Sequence, residues 1–295
     1  MLVRDRDDAP ELFDVRRFRN DWEKHASLQV RLGNADAIDA YIDHDRVAGG
    51  EHDEMLDTAY QAWSRDLRAG RTSVLIAETI ETVTDLNERA RSDRILAGLV
   101  ADGGVRLHDG TRAATGDVVI TRRNDRRLAL GRGWVKNNDR WIVTDTHDDG
   151  SLTVRRERSR WRSTITLPAG YAAEHVDLGY AITAHRAQGV TTDTAHVIAT
   201  ATTTRENFYV AMTRGRASNT AYVAIDQAHL EEHQLPDTEP TAHSILYGVL
   251  QHEGAERSAH ETIEAEQQAW SSIAHLADQC ETVAQEAQAE HITEL

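Results

Sequence analysis

The stretch Gly179-Tyr-Ala-Ile-Thr-Ala-His-Arg-Ala-Gln-Gly189 joins a short apolar run to a cluster of polar side chains. Leu178 to Ile182 has the composition of a buried strand, and Thr183 to Gln188 predicts a short helix that Gly189 ends. Such a strand-to-helix junction delivers polar side chains to one edge of a sheet, where α/β proteins bind ligands. The side chains delivered here are Thr183, His185, Arg186 and Gln188.

A second polar stretch, Asn207-Phe-Tyr-Val-Ala-Met-Thr-Arg-Gly-Arg216, follows further along the chain. Thr203-x-x-Glu206 predicts a capping box that opens a helix, with Gly215 just past the helix end. The helix end would project Thr213, Arg214 and Arg216. Arginine suits phosphate, because its planar guanidinium bonds two oxygens and keeps its proton. Taken singly, an arginine at this place is more often a partner of the helix dipole, and a lone histidine is more often structural.

The segments around these stretches predict an α/β fold with a parallel sheet. Ser73-Val-Leu-Ile-Ala77, His196 to Thr200 and Ala221 to Ile225 are short apolar runs typical of buried parallel strands. Apolar residues at helical spacing predict helices over 11–69 and after residue 80. We therefore expect one discontinuous α/β domain, 71–100 and 171–230, preceded by a helical entry segment, 1–70.

Residues 101–170 follow a period of two instead. Short β-rich pieces begin near Val118, Trp134, Trp141, Leu152 and Thr164, and turn residues such as Asn137-Asn-Asp139 separate them. These turns are too short for helical crossovers, so we predict a small antiparallel barrel inserted into the α/β domain. We expect two of its three tryptophans, Trp134, Trp141 and Trp161, in the barrel core.

Charge is distributed unevenly along the chain. The net charge is −16, but residues 231–295 hold fourteen acidic residues and one arginine, whereas 112–162 hold thirteen basic and seven acidic residues. The barrel is therefore basic and the tail, 236–295, is acidic. The tail also shows a helical heptad pattern from Ile263, which fits a helix docked on its own domain as well as a coiled coil.

Several kinds of active site are absent from the sequence. No G-x-x-x-x-G-K-[ST] phosphate loop occurs, no apolar strand ends in Asp-Glu, and the histidines form no metal-binding pattern. We therefore expect no metal site. The single cysteine, Cys280, excludes an internal disulfide, and no long apolar run or signal peptide predicts membrane insertion or secretion. We expect a cytoplasmic protein.

In this order and at this spacing, the two polar stretches resemble motifs V and VI of superfamily 1 helicases of the RecD/TraI-like branch. That branch has "YAIT-x-H-x-x-QG" followed by "YVA-x-TR-x-R". Leu12-Phe-Asp-Val-Arg-Arg-Phe18 is similar to its motif IV, and the tracts "TRRNDRRL" and "GRGWVKN" resemble conjugative relaxases of the TraA/TrwC (MobF) type. The resemblance implies a RecA-like second motor domain, an inserted SH3-like barrel and a helical C-terminal tail.

The resemblance also implies roles for individual residues. Arg214 would be the arginine finger at the γ-phosphate of ATP, and Arg17 a second contact to that phosphate. Nucleotide binding would be coupled to DNA by Gln188, Gly189, Thr213 and Arg216. Single-stranded DNA would lie on Thr183, His185, Arg122, Arg123, Arg126 and Arg127.

The family's phosphate loop and magnesium ligand lie in a first motor domain, which would precede residue 1. ATP and Mg²⁺ would therefore bind only when a P-loop domain, upstream in the same protein or in a separate chain, completes the site. We expect the C-terminal half of an ATP-dependent DNA translocase. A stand-alone DNA- or partner-binding remnant without turnover and a decayed gene fragment remain as alternatives.

Overall fold

The computed structural model describes residues 18–130, 133–157, 163–226, 240–252 and 254. The helices in these ranges are α1 (Asp21–Leu32), α2 (Asp36–Asp43), α3 (His52–Arg68), α4 (Ile80–Leu96), α5 (Ala169–His175), α6 (Ala184–Ala187), α7 (Arg205–Ala211) and α8 (Ala242–Gln251). The strands are β1 (Val47–Gly50), β2 (Ser73–Ala77), β3 (Val105–Arg106), β4 (Arg112–Ala113), β5 (Val118–Thr121), β6 (Asp125–Leu130), β7 (Gly133–Val135), β8 (Arg140–Thr146), β9 (Leu152–Arg156), β10 (Thr164–Leu167), β11 (Val176–Leu178), β12 (Ala181–Thr183), β13 (Thr192–Ala199) and β14 (Gly215–Ala224).

A five-stranded parallel sheet has the order β1-β14-β13-β2-β12. All five residues of β2 are buried, as expected for a largely apolar run that is covered on both faces. Side chains of α3 and α4 fill one hydrophobic core, whereas α1, α2, α7 and α8 contribute to a second. The predicted α/β fold with a parallel sheet is confirmed.

Strand β1 corrects the prediction that residues 11–69 are helical throughout. Val47 to Gly50 pair in parallel with Ala221 to Ala224 of β14, so β1 forms one edge of the sheet between α2 and α3. The segment Val-Ala-Gly-Gly has a weak intrinsic preference for strand. Its partner lies far away in the sequence, so no local pattern marks this strand.

Residues 105–178 form the antiparallel region of the molecule. Its main sheet has the order β10-β9-β8-β5-β11, and β3-β4 and β6-β7 are two further antiparallel pairs. The five predicted strands are present as β5, β7, β8, β9 and β10, and β3, β4 and β6 are additional. Trp141 is fully buried in the core and Trp134 is half-buried, whereas Trp161 lies outside the described residues.

The junction between the two sheets corrects the prediction of one strand over Leu178 to Ile182. β11 ends at Leu178 in the antiparallel sheet, and β12 begins at Ala181 in the parallel sheet. A Cβ at Gly179 would lie 3.1 Å from the backbone carbon of Val119, so the close approach of β5 favours glycine. The side chain of Asn87 accepts hydrogen bonds from the backbone N–H groups of Tyr180 and Ala181 and donates one to the Ala181 carbonyl. A single apolar run therefore serves two sheets.

Two predicted helix boundaries also change. The N-cap of α7 is Thr204, whose side chain accepts from the Asn207 N–H; Thr203 instead bonds Glu78 and the Thr200 N–H. The helix ends before Thr213, and Gly215 is the first residue of β14 rather than a helix stop.

Helix α8 differs from the acidic tail predicted over 236–295. It is apolar, and Ile245, Leu246, Val249 and Leu250 are buried in the core on one face of the parallel sheet. The predicted heptad from Ile263 onward lies outside the described residues. None of the helices in the described ranges combines the length and the apolar composition that crossing a bilayer requires.

Candidate functional site

The first polar stretch lies where two neighbouring parallel strands end. Ala77 at the end of β2 is paired with Thr183 at the end of β12. The Thr183 hydroxyl caps α6 by accepting from the Arg186 N–H, at 3.4 Å. The predicted DNA-binding residues Thr183 and His185 therefore lie together at the carboxyl edge of the sheet, with His185 exposed.

A cleft of about 200 Å³ opens at this edge. Its floor is apolar and comes from the ends of β2 and β13 and from α7. Its polar lining residues are Glu78, Thr183, His185, Thr203 and Asn207. The cleft is thus open to a ligand with an apolar body and a polar edge.

Glu78 follows β2 directly and is held by three hydroxyl groups. Its Oε2 accepts hydrogen bonds from Thr200 at 2.9 Å, Thr203 at 3.0 Å and Thr202 at 3.2 Å. No sequence motif singles out Glu78. The run Thr202-Thr-Thr204 is the only local signal, because the partners are more than 100 residues apart in the chain.

Arg214 of the second stretch is buried, with 6% of its surface exposed. Its Nη1 donates to the carbonyl of Ala187 at 3.1 Å and approaches that of Val190 at 3.5 Å, both next to Gln188 and Gly189. Its Nε donates to the Val210 carbonyl at 2.6 Å, and Nη2 donates to the Thr213 hydroxyl at 2.6 Å. One guanidinium therefore ties the end of the first stretch to the end of helix α7.

The residues predicted to couple nucleotide binding to DNA are Thr213, Arg216, Gln188 and Gly189. The Thr213 hydroxyl accepts from Arg214 and donates to the Val210 carbonyl, which Arg214 also binds, so the two side chains share one acceptor. Arg216 is half-buried and pairs with Asp193 at 3.2 Å. Gln188 and Gly189 are exposed, and Gly189 has φ +89°, a conformation that favours glycine. The structure thus places Thr213, Gln188 and Gly189 next to the contacts of Arg214, whereas the Arg216 side chain binds Asp193.

A buried polar network holds the backbone after Arg214. Asn219 donates to the Gly215 carbonyl and accepts from its N–H, while its own N–H and side-chain amide donate to Glu23 Oε1 at 3.0 and 2.7 Å. Glu23 and Asn219 are both fully buried. Burial raises the pKa of the Glu23 carboxyl, and the hydrogen bonds from Asn219 oppose that shift.

The start of α1 is attached to the same backbone. The Arg19 N–H donates to the Arg216 carbonyl at 2.8 Å, and the Asn20 side chain donates to the Ala217 carbonyl at 3.2 Å. Arg17, the predicted second phosphate contact, lies outside the described residues. Glu23 and Asn219 were not predicted, because buried polar residues carry no periodic signal.

Arg122 occupies an ion cluster centred on buried Asp177. Asp177 Oδ2 lies 2.6 Å from Arg186 and 3.5 Å from Arg122, and its Oδ1 lies 3.3 Å from His108. The Arg122 guanidinium also donates to the His108 imidazole. Arg122, predicted to contact DNA, therefore has intramolecular partners and links the antiparallel region to Arg186 on α6.

The other three predicted arginines of the antiparallel region are exposed. Arg123 donates to the His175 imidazole at 3.1 Å, Arg126 lies over the Trp134 ring at 5.6 Å, and Arg127 pairs with Asp125 at 3.3 Å. Hydrogen bonds from the Arg127 backbone and side chain lower the pKa of the Asp125 carboxyl. These guanidinium groups are accessible to an anionic ligand. Among the residues that the structure describes, no cluster of three or more histidine, cysteine or acidic side chains has metal-site geometry.

Comparison with known proteins identifies relatives over most of the chain. The conjugal transfer protein TraA of Agrobacterium fabrum is 31% identical over 216 residues, which is 72% of this chain and 19% of that protein. The TraA of Rhizobium radiobacter is 31% identical over 218 residues, with the same coverage of both chains. An uncharacterized protein of Mycobacterium tuberculosis is 40% identical over 91 residues, 30% of this chain and 51% of that one.

Among solved structures, Bacteroides Pif1 bound to single-stranded DNA matches with a TM-score of 0.45 and 15% identity, covering 76% of this chain and 53% of that one. No protein-family model matches the sequence. The chain spans about a fifth of the length of the TraA proteins that it matches. Over 72% of its length, the chain is thus a homologous counterpart of one segment of the TraA-type conjugal transfer proteins.

Proposed function

We propose that this chain is the second, RecA-like motor domain of an ATP-dependent DNA translocase used in conjugative transfer. The observation that carries the proposal is the contact between the two polar stretches. Arg214 bonds carbonyls beside Gln188 and Gly189, and the same edge of the sheet carries Thr183 and His185. The proposed phosphate-binding arginine and the proposed DNA-binding edge would thus be connected through one loop, Ala187 to Val190. Coupling of nucleotide binding to DNA binding requires such a physical connection.

ATP and Mg²⁺ would bind when a P-loop domain completes the cleft. Arg214 would then stabilise charge on the transferring phosphoryl group, as an arginine finger does. Because its guanidinium is bound by neutral backbone carbonyls, reaching a phosphate would exchange those contacts for ion pairs with an anionic acceptor. Each hydrolysis cycle would therefore pull on the loop from Ala187 to Val190. Arg17 would add a second contact to the same phosphate.

Single-stranded DNA would cross the edge at Thr183 and His185 and continue onto the antiparallel region. We assign 101–170 to an inserted SH3-like barrel and 71–100 with 171–230 to the motor domain. The entry segment, 1–70, adds its strand β1 to the motor-domain sheet. The exposed guanidinium groups of Arg123, Arg126 and Arg127 support electrostatic contact with the DNA backbone. Arg122 would act mainly through its ion pair with Asp177.

The experiment joins this chain to the P-loop domain of a TraA protein and measures ATP hydrolysis with and without single-stranded DNA. We expect DNA-stimulated hydrolysis that Arg214→Ala removes. Arg31→Ala, which removes an exposed arginine of α1, is the matched control and should leave hydrolysis unchanged. Hydrolysis that does not depend on Arg214, or on the presence of this chain, would contradict the proposal.

A further inference from the structure

The residues that line the cleft beside Thr183 and His185 do not suit a phosphate group. Its floor is apolar, built mainly from Ile76, Val197 and Phe208, and the carboxylate of Glu78 lies at its rim. A carboxylate repels the DNA backbone, so a phosphate is not the group that would enter. An apolar floor with one acceptor at its rim instead suits the flat face and polar edge of a nucleobase.

We infer that this cleft binds one base of the single strand, and that Glu78 favours a base with an exocyclic amino donor, such as cytosine, over uracil and thymine. The inference rests on the proposed function, since it places the single strand at this edge. A glutamate carboxylate only accepts hydrogen bonds, and the cytosine N4 amino group is its usual partner among base edges. Uracil and thymine present O4 at the same place, so two acceptors would face each other.

The hydroxyl groups around Glu78 sharpen the preference. Oε2 already accepts three hydrogen bonds, from Thr200, Thr202 and Thr203. Guanine binds a carboxylate through two adjacent donors that need both oxygens, whereas the cytosine amino group needs one. Among the side chains that the structure describes, none donates a hydrogen bond to Oε1 of Glu78. Oε1 is thus available as an acceptor for a base, and the hydrogen bonds to Oε2 hold the carboxylate in place.

Two further side chains complete the site. His185 is exposed on α6 and lines the cleft, so its imidazole is available to stack on the base. Asn207, in the first turn of α7, also lines the cleft and carries both an amide donor and an amide acceptor. The site thus offers stacking and hydrogen bonding beside the strand track.

The test compares oligodeoxycytidine with oligodeoxyuridine of equal length, which differ only at the base edge. Binding to the full chain is followed by fluorescence anisotropy at neutral pH and low salt. We expect cytosine to bind at least about fivefold more tightly, the lower end of what one correct base-edge contact contributes. Glu78→Gln should bring the two affinities together, because its amide can donate to O4 of uracil. Glu81→Gln removes the same charge from an exposed residue in the first turn of α4 that is not part of the cleft lining, and should keep the preference.

A change in the ligand avoids any effect of substitution on folding. Oligonucleotides with N4,N4-dimethylcytosine lack both amino donors and should bind the unaltered chain no better than oligodeoxyuridine. Equal affinity for cytosine and uracil, or equal loss of preference in Glu78→Gln and Glu81→Gln, would overturn the inference while leaving the proposed DNA binding intact. Failure to bind either oligonucleotide would instead overturn the proposed function, and the inference with it.

Discussion

The arginines at the edge of the parallel sheet and those of the antiparallel region differ in what their guanidinium groups contact. Arg214 is buried and bonds backbone carbonyls on two segments, whereas the side chain of Arg127 is 90% exposed and pairs with one neighbouring aspartate. A buried, multiply bonded guanidinium fixes geometry, and losing it leaves buried acceptors without a donor. An exposed one contributes charge that salt screens. Arginine thus fixes the relative position of two segments in one region and supplies surface charge in the other.

The largest effect that this difference predicts is on catalysis. In the protein joined to a P-loop domain, Arg214→Ala should lower ATP turnover by about 10³-fold, the scale of a lost arginine finger. Arg214→Lys keeps the charge but cannot bond carbonyls on both segments, so it should recover only a small fraction of the rate. Steady-state phosphate release measures both, with thermal unfolding as the check on folding. A turnover number near that of the parent protein would show that Arg214 is only structural.

The buried network behind Arg214 should affect stability instead. Glu23→Ala leaves the donors of Asn219 without an acceptor, so we expect unfolding to become easier by about 1–3 kcal/mol. Chemical denaturation of the full chain measures this difference. Glu23→Gln keeps an acceptor for Asn219 and should be much milder. An unchanged free energy of unfolding in Glu23→Ala would show that water replaces the carboxylate without cost.

Glu23→Gln also has a defined pH dependence. Because burial raises the pKa of Glu23 in the folded state, the folded chain holds this proton more tightly than the unfolded chain does. The stability that Glu23 contributes is therefore fully present below its unfolded pKa and is lost as pH rises through the folded pKa. Relative to the parent, Glu23→Gln should gain stability from acidic to neutral pH. Melting temperatures across that range measure it, and parallel curves would contradict it.

The exposed arginines should give a smaller, salt-dependent effect. Arg123, Arg126 and Arg127 changed together to alanine should weaken single-strand binding and lower the slope of log affinity against log salt by about 2, since each phosphate contact on a single strand contributes about 0.7. Arg122→Ala should leave the slope nearly unchanged, because its guanidinium pairs with Asp177. Salt titrations of binding distinguish the two variants. A larger slope change for Arg122→Ala would reverse their assignment.

The smallest expected effect is none at all. The chain alone should release phosphate from ATP no faster than a mock-purified sample, because its sequence has neither the phosphate-loop lysine nor an apolar strand that ends in Asp-Glu. Addition of single-stranded DNA should change nothing. Magnesium-dependent hydrolysis that survives this control would mean that other residues of the chain bind the nucleotide.

Local patterns predict most of the secondary structure but not the polar contacts that position the site. The apolar run of β2 and the helical spacing of apolar residues in α3 are strong sequence signals, because the pattern of apolar residues follows burial. The pairing of β1 with β14 has no local signal, and neither has the ion pair of Arg122 with Asp177. A motif likewise predicts a phosphate contact for Arg214 without revealing that Ala187 and Val190 accept its hydrogen bonds. Contacts between residues distant in sequence require the folded chain.

The antiparallel region is attached to the parallel sheet in two unlike ways. On the exit side, Gly179 and Tyr180 connect the two sheets. The Asn87 side chain accepts a hydrogen bond from the Tyr180 N–H, and the Tyr180 hydroxyl donates to Asp117 at 2.6 Å. On the entry side, residues 97–104 include three glycines with positive φ. The two connections are also joined to each other, since Arg91 donates to the Gly103 carbonyl at 2.6 Å and pairs with Asp117 at 3.0 Å. Asp117 therefore takes part in both connections, and its loss should loosen the antiparallel region at both ends.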